Sequence, residues 1–530
     1  MMETWLKISL LLCIFGSVKE FRPSEPFVTH YLLGRWKNFT SEQVNQDIFP
    51  VGTYAYLVEL VVVFLVTDFL CYKPVIVLHG VFAILTWSLL ILGKDVLTMQ
   101  SEGIPSTKLA GSKVEDSISV GHHIHSTKPR CMERIIREIM EVFYGFFMAA
   151  EVAYYTYIYA QVDKEHYQQV TSHTRTAYLF GRALSGIVSQ ALVSSGTLDY
   201  YQLNFISLAA VCLATLWAFF LPSVRHSMYF YRKKHKQNEI DGTENPAAVT
   251  EESVVPLTGL VESATSYAVE TKEPNQHISR VNGCDPGRRL QDSKRVAGSC
   301  KNAHYYLWED FSTAYTNMYV LKWSFWWSLA TCGFLQCLNY IQLVWQKIIV
   351  ENNQDINTEL YNGAVEALYT LIGAATSLGL GWLRFNWQIL GEAALALCSI
   401  IEGILLILSA TTKSLAVAYI LYVLFGVIYH TMITVANAEV AKNIGEDSYG
   451  LIFGVNTFMA LALQSVLTLI VVSDTGMALE IHLQFLVYGG YFLVLGVVFG
   501  CIAVYTLCSK DMHKQKLWLP KEIVTSESQT

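Results

Sequence analysis

Residues 51–71 read VGTYAYLVELVVVFLVTDFLC, and residues 74–94 read PVIVLHGVFAILTWSLLILGK. Each stretch is about as long as a helix that crosses a bilayer core of ~30 Å, which requires about 20 predominantly apolar residues. Only Tyr72 and Lys73 separate the two stretches, so the chain would cross the bilayer, turn and cross back. This pair predicts a helical membrane protein with short connections between its spans.

The composition of the whole chain agrees with this prediction. Of its 530 residues, 52% are hydrophobic and 15% are charged, whereas about 25% of the residues of a soluble protein are charged. Such a chain cannot cover a water-facing surface, which argues against a soluble enzyme, a disordered chain and a disulfide scaffold. The formal charge of −7 gives no basic surface for nucleic acid. The lipid bilayer is therefore the expected surrounding of most of the chain.

Apolar runs of this kind lie on both sides of a polar stretch at 223–310. The first six are at 7–33, 51–71, 74–94, 139–162, 174–195 and 200–222. The last six are at 319–347, 359–384, 388–411, 414–441, 446–473 and 480–508. This layout predicts an all-α membrane protein with the major-facilitator fold, whose 12 transmembrane helices form two six-helix halves that rock around a site at the midplane.

The same runs divide the chain into regions. The first half would occupy 1–222, with a polar extracellular insertion at 101–138, and the second half would occupy 311–508. Residues 223–310 are expected to be a largely disordered cytosolic linker, and 509–530 a cytosolic tail.

Basic residues next to the spans predict the orientation, because Lys and Arg collect on the cytoplasmic side. Arg225 and Lys236 bound a basic run after the sixth span, and Lys510 begins another after the twelfth. Both termini are therefore expected in the cytosol. The sequon Asn38-Phe39-Thr40 then lies outside, where Asn38 could be glycosylated.

The insertion at 101–138 does not follow this charge rule, because it carries six Lys and Arg residues although it is expected outside. It also contains His122, His123, His125 and Cys131, which are residue types that bind metal ions. A flexible loop with fortuitous histidines explains this group better, so no metal or other cofactor is expected.

Ionisable residues inside apolar spans are costly and are treated as functional candidates. The candidates are four glutamates, Glu25, Glu151, Glu366 and Glu402. Glu25 lies in the segment RPSEPF of the first span, where two prolines interrupt the helical hydrogen bonds. The alternative for each glutamate is a purely structural pair with a neighbouring helix.

Aromatic and amide residues accompany these carboxylates. Tyr154 and Tyr155 follow Glu151 by three and four residues, so rings and carboxylate share a helix face. A carboxylate beside aromatic rings suits an organic cation. Amides in spans seven and eleven could bind a heteroaromatic ring edge; they are Asn339, Gln342 and Gln464.

Basic residues are scarce in the predicted spans. An anionic substrate would require Lys or Arg there, but apart from Lys19 and Arg22 the spans are expected to contain almost none. Asp68 and Lys73, between spans two and three, weakly resemble the gate motif of major-facilitator carriers. No motif for ATP hydrolysis or for other enzymatic catalysis is found, so an enzyme is not expected.

Several segments, in order, resemble the solute-carrier family of thiamine and reduced-folate transporters. They are RPSEPF, YLLG, KNFT, IFPV-x-TYAYLV, YKPVIVLHG, AAEVAYYTYIY, YNGAVEA and FGVNTF. The resemblance covers all predicted spans and leaves out the linker, the tails and 101–138. It also decides against a signal peptide at residues 7–18, because RPSEPF follows too closely for those residues to be anything but the start of the first span.

Within this family the thiamine branch is the better match. Gln464 stands where the folate carrier has a lysine, and Gly426 where it has an arginine. The resemblance implies uptake of thiamine across the plasma membrane by alternating access, by a protein expected to be monomeric. It also implies a substrate pocket formed by Glu25, Phe49, Glu151, Tyr154, Asn339, Gln342, Glu366 and Tyr429.

Three positions depart from the family pattern. Gly52 replaces a tryptophan, Glu439 replaces a glutamine, and Glu402 has no counterpart. Restoring the ring by Gly52→Trp is therefore expected to raise the affinity for thiamine. The departures leave open a related organic cation or vitamin such as pyridoxine, with folate less favoured, or a sensor that binds the vitamin without transporting it.

The driving force also has two interpretations. Glu25, Glu151 or Glu366 could release a proton when a cation binds, which would exchange the cation for a proton. Alternatively, these acids stay ionised and the membrane potential alone drives the import of a cation.

Overall fold

The structure is a computed structural model, and it describes residues 4–70, 72–92, 139–161, 167–223, 305–352, 360–380, 386–444 and 448–509. The polar insertion at 101–138, most of the linker and the tail after Ser509 lie outside the described residues.

The first half is built from helices that run back and forth. Their bounds are α1 Thr4–Lys19, α2 Val28–Leu33, α3 Phe49–Phe69, α4 Lys73–Leu92, α5 Glu151–Gln161, α6 Tyr167–Ser194 and α7 Tyr200–Ala218. A 3₁₀ turn at Glu25–Phe27 precedes α2, and a π-helical turn at Gln43–Ile48 precedes α3. Residues 139–149 are also helical and lead into α5.

The second half repeats this arrangement. Its helices are α8 Met318–Glu351, α9 Asn362–Leu380, α10 Trp387–Thr411, α11 Leu415–Lys442, α12 Tyr449–Val471 and α13 Ile481–Ser509. Residues 305–316 form a further helical stretch before α8. Residues 305–310 of the expected linker at 223–310 are therefore helical in the structure.

Each of the predicted spans contains a described helix. Among the described residues, seven helical stretches are long and apolar enough to cross a membrane by length and composition alone. The first span falls short for a visible reason: α1 stops at Lys19, and the segment with Pro23 and Pro26 separates it from α2. Proline lacks the amide hydrogen that would continue the helix, so the backbone is free to bond elsewhere.

Opposite ends of the bundle can be told apart by their connections. At one end, which we call the Asn38 end, the Tyr31 hydroxyl donates to the Leu90 carbonyl at 3.0 Å and Arg35 pairs with Asp199 at 2.8 Å. At the opposite end the Lys73 ammonium donates to the Phe219 carbonyl at 2.9 Å. Asn38 itself is exposed, with a φ of 55° in the turn after α2.

The two halves pack closely where α6 meets α9. A Cβ added to Gly363 would lie 2.6 Å from Ser189 Oγ and 2.8 Å from the Gly186 carbonyl. A glycine at this position therefore allows the two backbones to approach without a side chain between them. This contact holds the facing residues of α6 and α9 at a short distance, toward the Asn38 end of the bundle.

Candidate functional site

The interior of the first half contains a cation held by carboxylates and aromatic rings. Lys19, the last residue of α1, donates to Glu151 Oε1 at 2.5 Å and to Glu20 Oε1 at 2.7 Å. Its ammonium lies 5.2 Å from the ring centroid of Tyr154 and 5.3 Å from that of Tyr178. The predicted face of carboxylate and tyrosines therefore exists, and an ammonium of the protein occupies it.

The broken segment of the first span continues this network. Arg22 donates to Glu20 Oε2 at 2.8 Å and pairs with Glu25 at 3.3 Å. The Arg22 guanidinium also lies 5.0 Å from the ring centroid of Phe147. Because Pro23 ends helical bonding here, Arg22 and Glu25 lie against neighbouring helices, and the side chain of Glu25 keeps 27% of its surface accessible.

A third ion pair joins the two halves. Arg182 on α6 donates to Glu366 Oε1 on α9 from Nε at 2.8 Å and from Nη2 at 2.5 Å. The Tyr369 hydroxyl donates to the same oxygen at 2.9 Å. Glu366 is therefore anchored by three donors, and it lies next to the close contact between α6 and α9.

These residues form one group, which we call the charge cluster. Its members are Lys19, Glu20, Arg22, Glu25, Glu151, Arg182 and Glu366. Four carboxylates face three bases, so the formal charge of the cluster as defined is −1. Arg175, whose guanidinium lies 5.7 Å from the ring of Tyr178, is outside this definition and would bring the sum to zero. Within the cluster each base is paired, so an additional anion would have to displace a carboxylate from a base.

The expectation that the spans contain almost no bases beyond Lys19 and Arg22 is wrong. Both Arg175 and Arg182 lie inside α6, and Arg182 pairs with a predicted pocket glutamate. Arg182 stands in the apolar sequence AYLFGRALSGIV, so a base within this span could have been predicted. Glu20, Tyr178 and Tyr369 were also missed. Tyr369 follows Glu366 by three residues on one helix, the same spacing as Tyr154 after Glu151, so it could have been predicted. Only the tertiary structure brings Tyr178 to Lys19.

Two of the predicted amides have different surroundings. Gln342 accepts from the Thr29 amide at 3.1 Å and donates to the Glu25 carbonyl at 3.1 Å, so it binds the broken backbone. Asn339, one turn away on α8, is half-buried and makes no side-chain hydrogen bond to the residues that the structure describes. Asn339 is therefore the amide that remains able to bind a ligand.

The predicted aromatic residues are packed against other rings. Phe49 meets Tyr340 edge-on, with ring centroids 5.7 Å apart. Tyr429 stacks on Phe334 at 3.8 Å and donates its hydroxyl to Thr331 at 3.1 Å. Of these residues, Phe49 keeps the larger accessible surface, since Tyr429 is 5% exposed.

Two glycines that the sequence singles out, Gly52 and Gly426, each lie against a side chain of another helix. A Cβ added to Gly52 would lie 2.5 Å from Glu141 Oε2, so a carboxylate fills the space next to Gly52. A Cβ added to Gly426 would lie 2.8 Å from the ring of Tyr369. Glycine at these two positions therefore makes room for Glu141 and for Tyr369.

The extra carboxylates lie away from the charge cluster. Glu439 pairs with Lys442 at 2.6 Å and accepts from the Tyr319 hydroxyl at 2.8 Å, near the end opposite Asn38. Glu402 is fully buried, and neither of its oxygens has a hydrogen-bond partner among the described residues. Gln464 is also buried, with 3% of its surface exposed.

The predicted gate is only partly described. Lys73 begins α4 and binds the carbonyl of Phe219 just beyond α7. The side chain of Asp68 lies outside the described residues. The described contact is that of a lysine satisfying a free carbonyl at a helix C-terminus.

Comparison with known sequences gives consistent matches. A family model described as "Reduced folate carrier" matches residues 3–104 and 132–487. Thiamine transporter 1 of Mus musculus is 37% identical over 515 residues, which cover 96% of this chain and 92% of that protein. Folate transporter 1 of Caenorhabditis elegans is 34% identical over 510 residues, which cover 96% of this chain and 94% of that protein.

Comparison with solved structures agrees on the fold. The crystal structure of a POT family transporter in complex with a thioalcohol-conjugated peptide superposes with a TM-score of 0.53 at 10% identity. The superposition covers 94% of this chain and 96% of that chain. The fold is therefore the all-α major-facilitator fold, as predicted.

Proposed function

The chain belongs to the reduced folate carrier family, and from that premise we propose that it takes up thiamine across the plasma membrane by alternating access. It is a multi-pass membrane transporter and not an enzyme. The identity of the substrate and the location in the plasma membrane are both part of this proposal.

One observation carries the choice of thiamine: the structure already holds a cation at Glu151 with tyrosines around it. The Tyr155 hydroxyl also points to Glu151 Oε1, at 3.4 Å. Thiamine carries a positive thiazolium and a neutral aminopyrimidine. A carboxylate that holds an ammonium over aromatic rings would hold a thiazolium by the same attraction, while Asn339 could bind the aminopyrimidine edge.

Folate is the second candidate, because a folate transporter is among the relatives and because the charge cluster contains three bases. Each of those bases is paired with a carboxylate, at 2.5 Å for Arg182, 2.8 Å for Arg22 and 2.5 Å for Lys19. A dianion would have to break such pairs in a poorly solvated interior, which typically costs ~3–5 kcal/mol when one partner is left alone. The pairing of the three bases with carboxylates is therefore the feature of the cluster that favours a cation.

The orientation of the carrier is part of the same proposal. We place both termini and the linker in the cytosol, and Asn38 outside with its glycan. The basic runs after the sixth and twelfth spans support this orientation, and so does the exposure of Asn38. A glycan found at a sequon engineered into 240–300, removable by glycosidase from intact cells, would contradict it.

Labelled thiamine uptake in cells that lack their own thiamine carriers tests the function. We expect saturable uptake that unlabelled thiamine inhibits, with weaker inhibition by pyridoxine and by folate. Uptake of folate or pyridoxine in preference to thiamine would contradict the substrate. Binding of thiamine to the purified protein without any uptake would indicate a sensor.

The driving force is proposed to be a gradient that already exists, through proton exchange, membrane potential or both. Glu25, Glu151 and Glu366 each lie in an ion pair with a base of the charge cluster, and the membrane potential alone would draw a cationic substrate inward. A potential of 100 mV acting on one charge supplies about 2.3 kcal/mol. If a protonophore abolishes uptake at clamped zero potential, proton exchange is the correct interpretation instead.

A further inference from the structure

Lys19 lies where the proposed substrate would place its positive charge. Its ammonium contacts Glu151 at 2.5 Å and faces the rings of Tyr154 and Tyr178. The side chain is 1% exposed, so it is part of the interior rather than a surface ion pair. A substrate cation that binds Glu151 Oε1 between these rings would therefore have to displace the Lys19 ammonium.

Lys19 also binds a second carboxylate, that of Glu20. Glu20 Oε1 accepts from Lys19 at 2.7 Å, and Glu20 Oε2 accepts from Arg22 at 2.8 Å. If Glu151 binds another cation, the Lys19 ammonium therefore remains paired with Glu20. Its displacement from Glu151 therefore leaves no buried charge without a partner, and this keeps the free-energy cost of the displacement low.

We propose that Lys19 is an internal substitute for the substrate: its ammonium occupies the cation site at Glu151 in the empty carrier and yields it to the incoming cation. This inference rests on the proposed function, because it takes the substrate to be cationic. Lys19 then has two effects. It competes with the substrate for Glu151, and it neutralises Glu151 while the empty carrier returns.

The second effect, neutralisation of Glu151 in the empty carrier, gives a measurable difference between the proposed role of Lys19 and a structural role. Net uptake into cells without internal substrate requires the empty carrier to return with Glu151 neutralised. Exchange of internal for external thiamine does not require this step, because a substrate cation occupies the site in both directions. Loss of Lys19 should therefore slow net uptake while exchange continues.

The test compares Lys19→Met with the wild type in both assays. We expect the ratio of exchange to net uptake to rise about tenfold, and the dissociation constant of thiamine to fall about tenfold, as for the loss of one competing contact. The ratio is formed within each variant, so differences in surface expression cancel. Binding is measured with labelled thiamine on purified protein.

Three further variants make the result specific. Lys19→Arg keeps a cation at the site and should keep the wild-type ratio. Lys322→Met removes a lysine paired with Glu392 at 2.7 Å, outside the charge cluster, and should leave ratio and affinity unchanged. The double variant Lys19→Met/Glu151→Gln removes the charge that needs neutralising, so its ratio should return toward that of the wild type while its affinity falls.

A wild-type ratio together with wild-type affinity in Lys19→Met would overturn the inference. An equal loss of net uptake and exchange in Lys19→Met would also overturn it, since that is the result for a structural lysine. Failure of the wild type to transport thiamine in either assay would instead count against the proposed function.

Discussion

Glu151 and Glu402 are both carboxylates in the middle of apolar helices, but their surroundings differ. Glu151 is bound by Lys19, and its side chain keeps 15% of its surface accessible. Glu402 is fully buried without a hydrogen-bond partner among the described residues. An ionised carboxylate without a partner would be very costly there, so Glu402 is expected to be neutral in this structure.

We therefore predict that Glu151→Gln lowers thiamine uptake far more than Glu402→Gln. Removing one partner of a buried charge pair costs ~2–5 kcal/mol, whereas glutamine closely matches a neutral Glu402. Thiamine uptake at limiting concentration, normalised to surface expression, measures both variants. Similar uptake in the two variants would show that Glu151 does not hold the substrate.

Gly52 gives a second prediction at the level of single residues, and here the contact with Glu141 leads us to expect the opposite of what the sequence alone predicts. The space next to Gly52 is filled by Glu141, 2.5 Å from where a Cβ would lie. Gly52→Trp should therefore lower surface expression and uptake rather than raise affinity, since overpacking typically costs ~1–3 kcal/mol. Gly52→Trp/Glu141→Ala should recover part of the loss. Higher thiamine affinity in Gly52→Trp alone would mean that Glu141 moves aside freely.

The sequence could identify Glu25, Glu151 and Glu366 because a carboxylate in an apolar run is costly wherever it pairs. It could not identify the partners of Glu151 and Glu366. Lys19 and Glu151 are 132 residues apart, and Arg182 and Glu366 are 184 residues apart. The space beside Gly52 was equally hidden, because Glu141 reaches it from another span.

The helices were largely predictable from their apolar length, but their interruptions were only partly so. Two prolines predicted the break after α1. The end of the helical stretch 139–149 directly before α5 has no proline to announce it, since Ala149 and Ala150 precede Glu151. Local sequence carries little sign of this interruption.

The contact between α6 and α9 supports a prediction about whole elements. Gly363→Ala would bring a methyl group to 2.6 Å from Ser189 Oγ and 2.8 Å from the Gly186 carbonyl, so the helices must separate. This movement would also strain the pair between Arg182 and Glu366. We expect a lower melting temperature of the purified protein and lower uptake, for a cost of ~1–3 kcal/mol.

A second glycine of α9 provides the control for this variant. A Cβ added to Gly379 would meet nothing within 4 Å, and alanine favours a helix over glycine by ~1 kcal/mol. Gly379→Ala should therefore leave stability equal or slightly higher. Equal melting temperatures for Gly363→Ala and Gly379→Ala would show that α6 and α9 are not held by close backbone contact.

At the Asn38 end, hydrogen bonds join the two halves of the molecule. Gln342 binds the backbone of Glu25 and Thr29, and Asn362 donates to the Pro26 carbonyl at 3.0 Å. Near them, Gln190 donates to the Leu360 carbonyl at 2.8 Å. The first three bonds join the first half to the second through residues 25–29, and the fourth joins them through α6. If the Asn38 end faces outward, as proposed, the structure represents a carrier closed to the outside.

This closure can be tested by weakening it and measuring access from outside the cell. Leu360 is 3% exposed at the Asn38 end, so a cysteine in Leu360→Cys should react slowly with a membrane-impermeant maleimide. Adding Gln342→Ala and Asn362→Ala removes three hydrogen bonds between the halves, each worth ~0.5–1.5 kcal/mol. We expect faster labelling at Leu360→Cys on intact cells, because the equilibrium shifts toward the state that is open to the outside.

Gln336→Ala is the matched control, since Gln336 lies on the same helix as Gln342 but binds Tyr488 within the second half, at 3.0 Å. Equal labelling rates in the weakened and control proteins would mean that these bonds do not hold the two halves together.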